Sequence, residues 1–117
     1  MATTFQIDRS DEGHVRILAL DGYLDAHTAP VFEKAIQEEF ESGRKNIVVD
    51  CSKLTYISSA GLGVFMSFIE EIRDAGGDIR LAGIVPKVYQ VFEVLGFPSL
   101  FQIFDATPAA IASFERS

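Results

Sequence analysis

The sequence predicts an α/β fold: one domain with a mixed, mostly parallel sheet of about five strands and about four helices. Short apolar or alternating runs take turns along the chain with longer segments whose apolar residues recur at helical spacing. Glycine and proline residues stand between these segments, where helices begin and end. The resulting order is β-β-α-β-α-β-α-β-α. Strands joined through a helix run parallel, whereas a hairpin makes the first pair antiparallel.

The first two strands are expected to form that hairpin. Phe5 and Ile7 alternate with polar neighbours, and Val15 to Leu20 is a run of β-forming residues. His14 is assigned to the second of these strands. The turn is expected at residues 10–13, because Ser, Asp, Glu and Gly in succession are suited to a turn.

The first helix is expected to begin near Pro30, whose missing N-H costs nothing in a first turn, with Asp25 or Thr28 as the N-cap. Gly43 is expected to end it in a left-handed conformation. The predicted buried stripe comprises Val31 or Phe32, Ala35, Ile36 and Phe40. The predicted solvated face comprises Glu33, Glu38, Glu39 and Glu41.

The middle of the chain predicts a strand, a loop and a central helix. Asn46 to Val49 is short, β-branched and apolar, and the strand is expected to end at the polar residues Asp50 to Lys53. The predicted buried stripe of the helix comprises Leu62, Phe65, Met66, Ile69 and Ile72. Val64 and Phe68 lie off this stripe. Either they belong to the core of a helix covered on two sides, or they form an exposed apolar patch.

The remaining elements continue the alternation. Ile79 to Ala82 is a predicted fourth strand, and Pro86 begins a helix that Gly96 ends. The apolar side of that helix comprises Val88, Val91, Phe92 and Leu95. A fifth strand is expected over Leu100 to Phe104, followed by a last helix from residue 107 to about residue 115.

Composition excludes several classes of function. At 117 residues, the chain is long enough for one hydrophobic core and too short for two, so one domain is expected over residues 1–117. The formal net charge is -7, and no cluster of Lys and Arg offsets it locally. Nucleic acid is excluded as a partner, because its phosphates require a basic surface.

Cysteine usage and hydropathy predict a cytoplasmic protein without membrane insertion. Cys51 is the only cysteine, so no intramolecular disulfide is possible. The first eight residues lack the basic and apolar regions of a signal peptide. The longest apolar run, around Leu62 to Ile69, is far shorter than the roughly 18 to 20 residues that cross a bilayer.

The start of the central helix is the strongest candidate site. Ser58 and Ser59 precede the helix, and residue type alone favours a serine there as a plain N-cap. The first backbone N-H groups of a helix lack internal partners and favour an anion. Ser59, Gly63 and Ser67 fall on one helix face as a strip of small residues that another chain could approach. Gly61 and Gly63 each cost about 1 kcal/mol relative to alanine, which helix stability does not explain.

Two sequence blocks resemble one protein family. Tyr56 to Gly63 reads Y-I-S-S-A-G-L-G, and Leu20 to Pro30 reads L-D-G-Y-L-D-A-H-T-A-P. Both are similar to segments of the anti-sigma factor antagonists, the bacterial regulatory branch of the STAS domains, and the resemblance covers nearly the whole chain. Alignment on Gly61 and Gly63 makes Ser59 the phosphoacceptor, with Ser58 as the backup. Ser58 stands where many members have aspartate.

The resemblance implies a phosphorylation-switched binding protein rather than an enzyme. Without phosphate on Ser59, it would bind an anti-sigma factor serine/threonine kinase and so release a sigma factor. The same kinase would phosphorylate Ser59, and a serine phosphatase would reverse the modification. ATP and magnesium would belong to the kinase, so no cofactor or metal is expected on this chain. The implied partner-binding residues are Asp25, Thr28, Ser58, Ser59, Gly61, Gly63 and Ser67.

Several alternatives remain at this stage. Asp25 and Asp21 are expected in the loop after the second strand, where Asp25 is either a helix cap or part of the kinase-binding surface. His14, His27 and Cys51 have no partners at ligand or catalytic spacing, so solvated or capping histidines and a small buried cysteine are expected. The alternative function is a STAS scaffold subunit, never phosphorylated, that docks an ATPase or transporter component.

Overall fold

A computed structural model describes residues 5–115 as a five-stranded sheet with five helices. The strands are β1 (Phe5–Glu12), β2 (Val15–Leu24), β3 (Asn46–Ile57), β4 (Asp78–Ala82) and β5 (Ile103–Phe104). The helices are α1 (Ala29–Glu41), α2 (Ser59–Asp74), α3 (Pro86–Val94), α4 (Phe97–Leu100) and α5 (Thr107–Glu115). The sheet order is β1-β2-β3-β4-β5, with only the β1–β2 pair antiparallel among these strands. The predicted fold class is confirmed.

The two faces of the sheet are covered unequally. Ile47 and Val49 pack with α1 to α4 in the main core, whereas the intervening Val48 points to the other face. There it packs in a smaller cluster with Ala110 and Phe114 of α5. This arrangement explains the continuous apolar run at the start of β3, because both faces of that strand are buried at this point.

Phe65 of α2 lies at the centre of the main core. Its ring centroid is 5.0 to 6.2 Å from those of four other aromatic rings, namely Phe32, Phe92, Phe97 and Phe101. All four contacts are edge-on, a favourable geometry for aromatic pairs, and they reach α1, α3, α4 and the residue that follows α4. One side chain therefore connects α2 to the helices on both sides of it.

The hairpin turn is shorter than predicted. β1 continues through Glu12, which pairs with Val15, so residues 10–12 are strand and the turn consists of Gly13 and His14. Gly13 supplies the positive φ, at 63°. The polar residues of β1 indicated a turn because they lie on an edge strand, where side chains meet water. His14 is thus a turn residue, not a strand residue.

The prediction that β3 ends at the polar residues Asp50 to Lys53 was wrong. The strand continues to Ile57, paired with β2 through two register shifts, while its pairing with β4 stops at Asp50 and Ala82. Beyond Asp50 the strand has a single neighbour among the described strands, which leaves room for exposed polar residues. Leu54 and Ile57 still point into the core.

The predicted solvated face of α1 contains a buried acid. Glu39 is 2% exposed, and its carboxylate accepts hydrogen bonds from Arg9 at 3.1 Å and Arg16 at 2.9 Å. Burial opposes ionisation of Arg16, but the hydrogen bond and charge of Glu39 outweigh it, so the pKa of Arg16 is raised. Of the two stripe alternatives, Phe32 is buried and Val31 is exposed.

The buried faces of α2 and α3 differ from the predicted stripes. In α2, Val64 and Phe68 belong to the core, whereas Met66 is 45% exposed. The helix is covered on two sides, by the sheet and by α1, which shifts its buried arc toward Val64 and Phe68. Leu95, expected on the apolar side of α3, lies just beyond the end of the helix and is exposed.

The fifth strand is shorter than predicted: Leu100 is the last residue of α4, and only Ile103 and Phe104 form a strand. Gly96 adopts a left-handed conformation with φ at 77°, and the chain then forms α4 before the two-residue strand β5. Phe97 and Phe101 stack in the core with ring centroids 5.0 Å apart. Pairing with β4 starts only at Ile103, because Phe101 turns into the main core instead of following the edge of the sheet.

Candidate functional site

The two serines at the start of α2 occupy different environments. Ser58 has an extended backbone, its N-H donates to the carbonyl of Leu24 at 2.9 Å, and α2 begins at Ser59. The Oγ of Ser58 is buried without a hydrogen-bond partner in residues 5–115, and it makes no side-chain cap. Ser59 is exposed. Ser58 is the N-cap of α2 by position, as predicted, but its buried Oγ makes no cap hydrogen bond.

The predicted strip of small residues exists as an open surface. Ser59, Gly63 and Ser67 are all exposed, and a Cβ atom added to Gly63 would meet nothing within 4 Å. Ser67 Oγ donates to the Gly63 carbonyl at 2.8 Å, so it already has an acceptor within the helix. A partner chain can approach the α2 backbone closely along this strip.

Gly61 does not belong to this surface. It is buried, and a Cβ atom there would lie 2.7 Å from Leu24 Cγ and 3.1 Å from Ile57 Cγ1. The close approach of α2 to the ends of β2 and β3 therefore requires a glycine at position 61. Its predicted place among the partner-binding residues is corrected to a packing role.

Asp25 and Thr28 form a self-contained loop between β2 and α1. Asp25 Oδ1 accepts hydrogen bonds from the backbone N-H groups of His27 at 2.9 Å and Thr28 at 3.1 Å. Thr28 Oγ1 accepts from the Asp25 N-H at 2.8 Å and donates to the Tyr23 carbonyl at 2.8 Å. Burial disfavours the Asp25 carboxylate, but these hydrogen bonds outweigh burial, so the pKa of Asp25 is lowered.

The N-cap of α1 is Thr28 by position, although its side chain makes no cap hydrogen bond. Its hydroxyl turns back toward β2 instead. Asp21, expected in the same loop, lies within β2 and pairs across the sheet with Lys53. The loop therefore presents Asp25 without Asp21.

An open groove of about 430 Å³ runs between the start of α2 and one side of α3. Its lining residues are Ser59, Leu62, Lys87, Gln90, Val91, Val94 and Leu95. Val94 and Leu95 are 82% and 54% exposed, so the α3 wall is apolar and uncovered. We call this the α2–α3 groove. Ser59, the first residue of α2, is an exposed lining residue of this groove.

A second groove, also of about 430 Å³, lies at the carboxyl ends of β2 and β3. It is lined by Tyr23, Asp25, Thr55, Tyr56 and Lys87, with the two tyrosine ring centroids 5.9 Å apart. We call this the tyrosine groove. Lys87 belongs to both grooves, so the groove that contains Asp25 and the groove that contains Ser59 share one lysine.

Cys51 is fully buried, and burial raises the pKa of its thiol well above the usual range, with the Asp50 carboxylate as a smaller cause. In the described part of the chain, no group of three or more His, Cys, Asp or Glu side chains is arranged to hold a metal ion. No helix in this range has the length and apolar character needed to cross a membrane.

Comparison with known proteins identifies the family of this chain. The family model of the STAS domain matches residues 6–110. The chain belongs to the STAS domain family. The two curated relatives described next are named as anti-sigma factor antagonists. BtrV of Bordetella bronchiseptica, named as an anti-sigma factor antagonist, is 33% identical over 101 residues, which cover 86% of this chain and 87% of BtrV. The anti-sigma-B factor antagonist of Listeria monocytogenes is 29% identical over 88% of this chain and 90% of its own.

Solved structures show the same fold as this STAS domain. A crystal structure named as an anti-sigma factor antagonist of Thermotoga maritima aligns with a TM-score of 0.86 and 24% identity over 92% of each chain. SpoIIAA of Bacillus in its phosphorylated form aligns at 0.71 and 21%, over 94% of this chain and 98% of SpoIIAA. The anion transporter Slc26a9 aligns at 0.74 and 17%, over 92% of this chain and 19% of the transporter.

Sequence reasoning missed several residues that line the two grooves of the STAS domain. Tyr23 and Tyr56 were assigned no role, and Val94 and Lys87 were not considered. One signal was available for Lys87: it occupies the first turn of α3, where the helix dipole disfavours a cation. A side chain whose charge is unfavourable for its own helix indicates a role outside that helix.

Proposed function

We propose that this STAS domain is a phosphorylation-switched protein-binding module of the cytoplasm and not an enzyme. Without phosphate, it binds an anti-sigma factor serine/threonine kinase and thereby releases a sigma factor. The observation that carries the proposal is the exposed Ser59 hydroxyl at the first position of α2, beside an uncovered apolar groove. Family membership supplies the class of partner.

The two serines differ in their suitability as phosphoacceptor. Phosphoryl transfer requires the serine oxygen to enter the active site of another protein, in line with the γ-phosphate of ATP. Ser59 is exposed, whereas the Oγ of Ser58 is buried. This contrast supports Ser59 as the acceptor and argues against Ser58, since the buried Oγ of Ser58 would first have to become exposed.

The chemistry of the switch belongs to the partners. The kinase holds ATP and Mg²⁺, the Ser59 Oγ forms a bond to the γ-phosphorus, ADP leaves, and the hydroxyl proton passes to a base on the kinase. A serine phosphatase then hydrolyses the ester with water and releases inorganic phosphate. The STAS domain contributes an accessible oxygen, and it needs no cofactor of its own.

The modification acts on binding rather than on folding. A phosphate adds about -1.5 to -2 charges, which the N-terminus of α2 accommodates. An interface that covers Ser59 without supplying cations must bury this charge, at a cost of several kcal/mol. A loss of about 2.8 kcal/mol already weakens binding about a hundredfold. The partner-binding surface we propose comprises Ser59, Gly63, Ser67, Asp25 and the α2–α3 groove, with Ser58 and Thr28 supporting it.

A kinase assay tests this function. We expect incubation with a cognate kinase and ATP to add one phosphoryl group, located at Ser59 by mass spectrometry and lost in Ser59→Ala. Ser59→Asp should leave the melting temperature nearly unchanged and weaken kinase binding. Label that persists in Ser59→Ala, or that appears only on Ser58, refutes the site assignment. Unfolding of Ser59→Asp refutes the account in which the charge acts at the interface.

The alternative is a scaffold subunit that docks an ATPase or transporter component and is never phosphorylated. A pull-down with Ser59→Ala and the wild-type domain separates the two functions. Recovery of a regulatory kinase supports our proposal. Recovery of a transport ATPase, without phosphate on the native protein, supports the alternative instead.

A further inference from the structure

We propose that Lys87 is a built-in counter-ion for phosphate on Ser59, so that the phosphorylated state is held by an ion pair within the STAS domain itself. This inference rests on the proposed function, because it concerns the phosphorylated form of the same serine. It assigns a role to a residue of α3 that lies 28 positions away in sequence.

The first observation is that Lys87 and Ser59 line the same groove. The other lining residues are uncharged, namely Leu62, Gln90, Val91, Val94 and Leu95. The ammonium of Lys87 sits on a flexible four-carbon stem, which lets it follow an anion along the groove wall. A phosphate on Ser59 therefore enters a groove whose lining residues offer one formal positive charge.

The second observation is that Lys87 has no ion-pair or hydrogen-bond partner among the described residues. The five described arginines are in ion pairs, and Lys45 donates to the Ala75 carbonyl at 2.9 Å. The described cations without a partner are Lys34, Lys53 and Lys87, and of these Lys87 borders the α2–α3 groove. In a chain with a net charge of -7, an unused cation at this position is available to an incoming anion.

The third observation is the position of Lys87 in its own helix. It is the second residue of α3, where the aligned peptide dipoles disfavour a positive side chain. The stability of the helix therefore does not explain the lysine. An anion at Ser59 would offset this unfavourable contact.

The surrounding charges define the competition for Lys87. In the adjoining tyrosine groove, the lysine borders the Asp25 carboxylate, together with the phenols of Tyr23 and Tyr56. Asp25 is already bonded to two backbone N-H groups and carries a single charge. A phosphate dianion on Ser59 attracts the ammonium more strongly than Asp25 does. Phosphorylation thus draws Lys87 toward α2 and fixes the phosphate over the apolar wall of the groove.

The second pKa of the phosphoserine tests this pair. Phosphoserine is installed at position 59 during translation by genetic-code expansion, so no kinase is needed, and its phosphorus resonance is titrated by 31P NMR. Three backgrounds are compared: wild type, Lys87→Gln, and the matched control Lys34→Gln, which removes an unpartnered lysine of α1 outside both grooves. The α2 dipole acts equally in all three.

We expect Lys87→Gln to raise the phosphoserine pKa by about half a unit, the value for one charge a few ångströms away in water-like surroundings. Lys34→Gln should leave it within about 0.1 unit of wild type, because screening removes distant surface charges. Lys87→Arg should restore the wild-type value. Titration curves of Lys87→Gln and Lys34→Gln that coincide overturn the proposal. Such a result leaves the kinase assay untouched, and a negative kinase assay leaves this titration valid, so the two failures are distinguishable.

Discussion

Gly61 and Gly63 are two residues apart in α2, and the structure predicts opposite effects for the same substitution. Each Gly→Ala change adds one methyl group to a helix, where alanine is favoured over glycine by about 1 kcal/mol. The Gly63 methyl would enter open space, whereas the Gly61 methyl would meet Leu24 Cγ at 2.7 Å. The difference between the two variants therefore reports local packing and not helix propensity.

The magnitudes follow from these contacts. Gly63→Ala should stabilise the domain by about 0.5 to 1 kcal/mol, a rise of about 2 to 5 °C in Tm. For Gly61→Ala, Leu24 is fully buried and must move against close-packed neighbours. Overpacking of this kind costs about 1 to 3 kcal/mol, against a gain of up to about 1 kcal/mol in helix propensity. We expect a net loss of up to about 2 kcal/mol.

Thermal and urea unfolding of both variants measures the stability difference, and kinase binding measures the functional one. Gly63→Ala should weaken partner binding although it stabilises the fold, because its methyl group projects from the strip that the partner approaches. Equal Tm changes for the two alanines would refute the packing argument. Kinase binding unchanged in Gly63→Ala would refute the assignment of the strip to the interface.

Three further predictions concern groups away from α2. Glu39→Gln should destabilise the domain by about 1 to 3 kcal/mol in urea unfolding, because it removes the buried carboxylate that pairs with Arg9 and Arg16. The control Glu38→Gln, at an exposed position, should cost under about 1 kcal/mol. The lowered pKa of Asp25 contributes stability that is present above its usual value of 3.8 and is lost as the pH falls through the folded pKa. In Asp25→Asn, the free energy of unfolding should therefore depend less steeply on pH on the acid side. Cys51 should resist thiol reagents at pH 8 until guanidinium unfolds the protein, and rapid labelling of the native state would contradict its burial.

Most of the fold follows from patterns that extend over a whole element. The apolar run at the start of β3, the start of α3 at Pro86 and the end of α1 at Gly43 were predictable because local chemistry and tertiary structure agree there. Strand pairing, in contrast, could not be predicted from the residues of one element alone. The second half of β3 looks polar along the chain, and only the length of β2 beside it reveals a strand.

The site was predictable in part for the same reason. Ser59 and Gly63 could be placed on one helix face from spacing alone. The burial of Gly61 depends on Leu24, which comes from a different strand, and no helical period contains that contact. Lys87 is separated from Ser59 by α2, β4 and the loop before α3, so only the folded chain brings the two to one groove.

The position of Phe65 determines how the serine is displayed to a visiting protein. Phe65 of α2, the helix that carries Ser59, packs against Phe92 of α3, the helix that carries Lys87. A movement of either wall of the α2–α3 groove would therefore disturb the packing of the other. A docking protein therefore binds a preorganised surface, and little conformational entropy of the STAS domain is lost on binding. Adding or removing a phosphate then changes the charge of the surface at Ser59, while the packing of α2 against α3 stays the same.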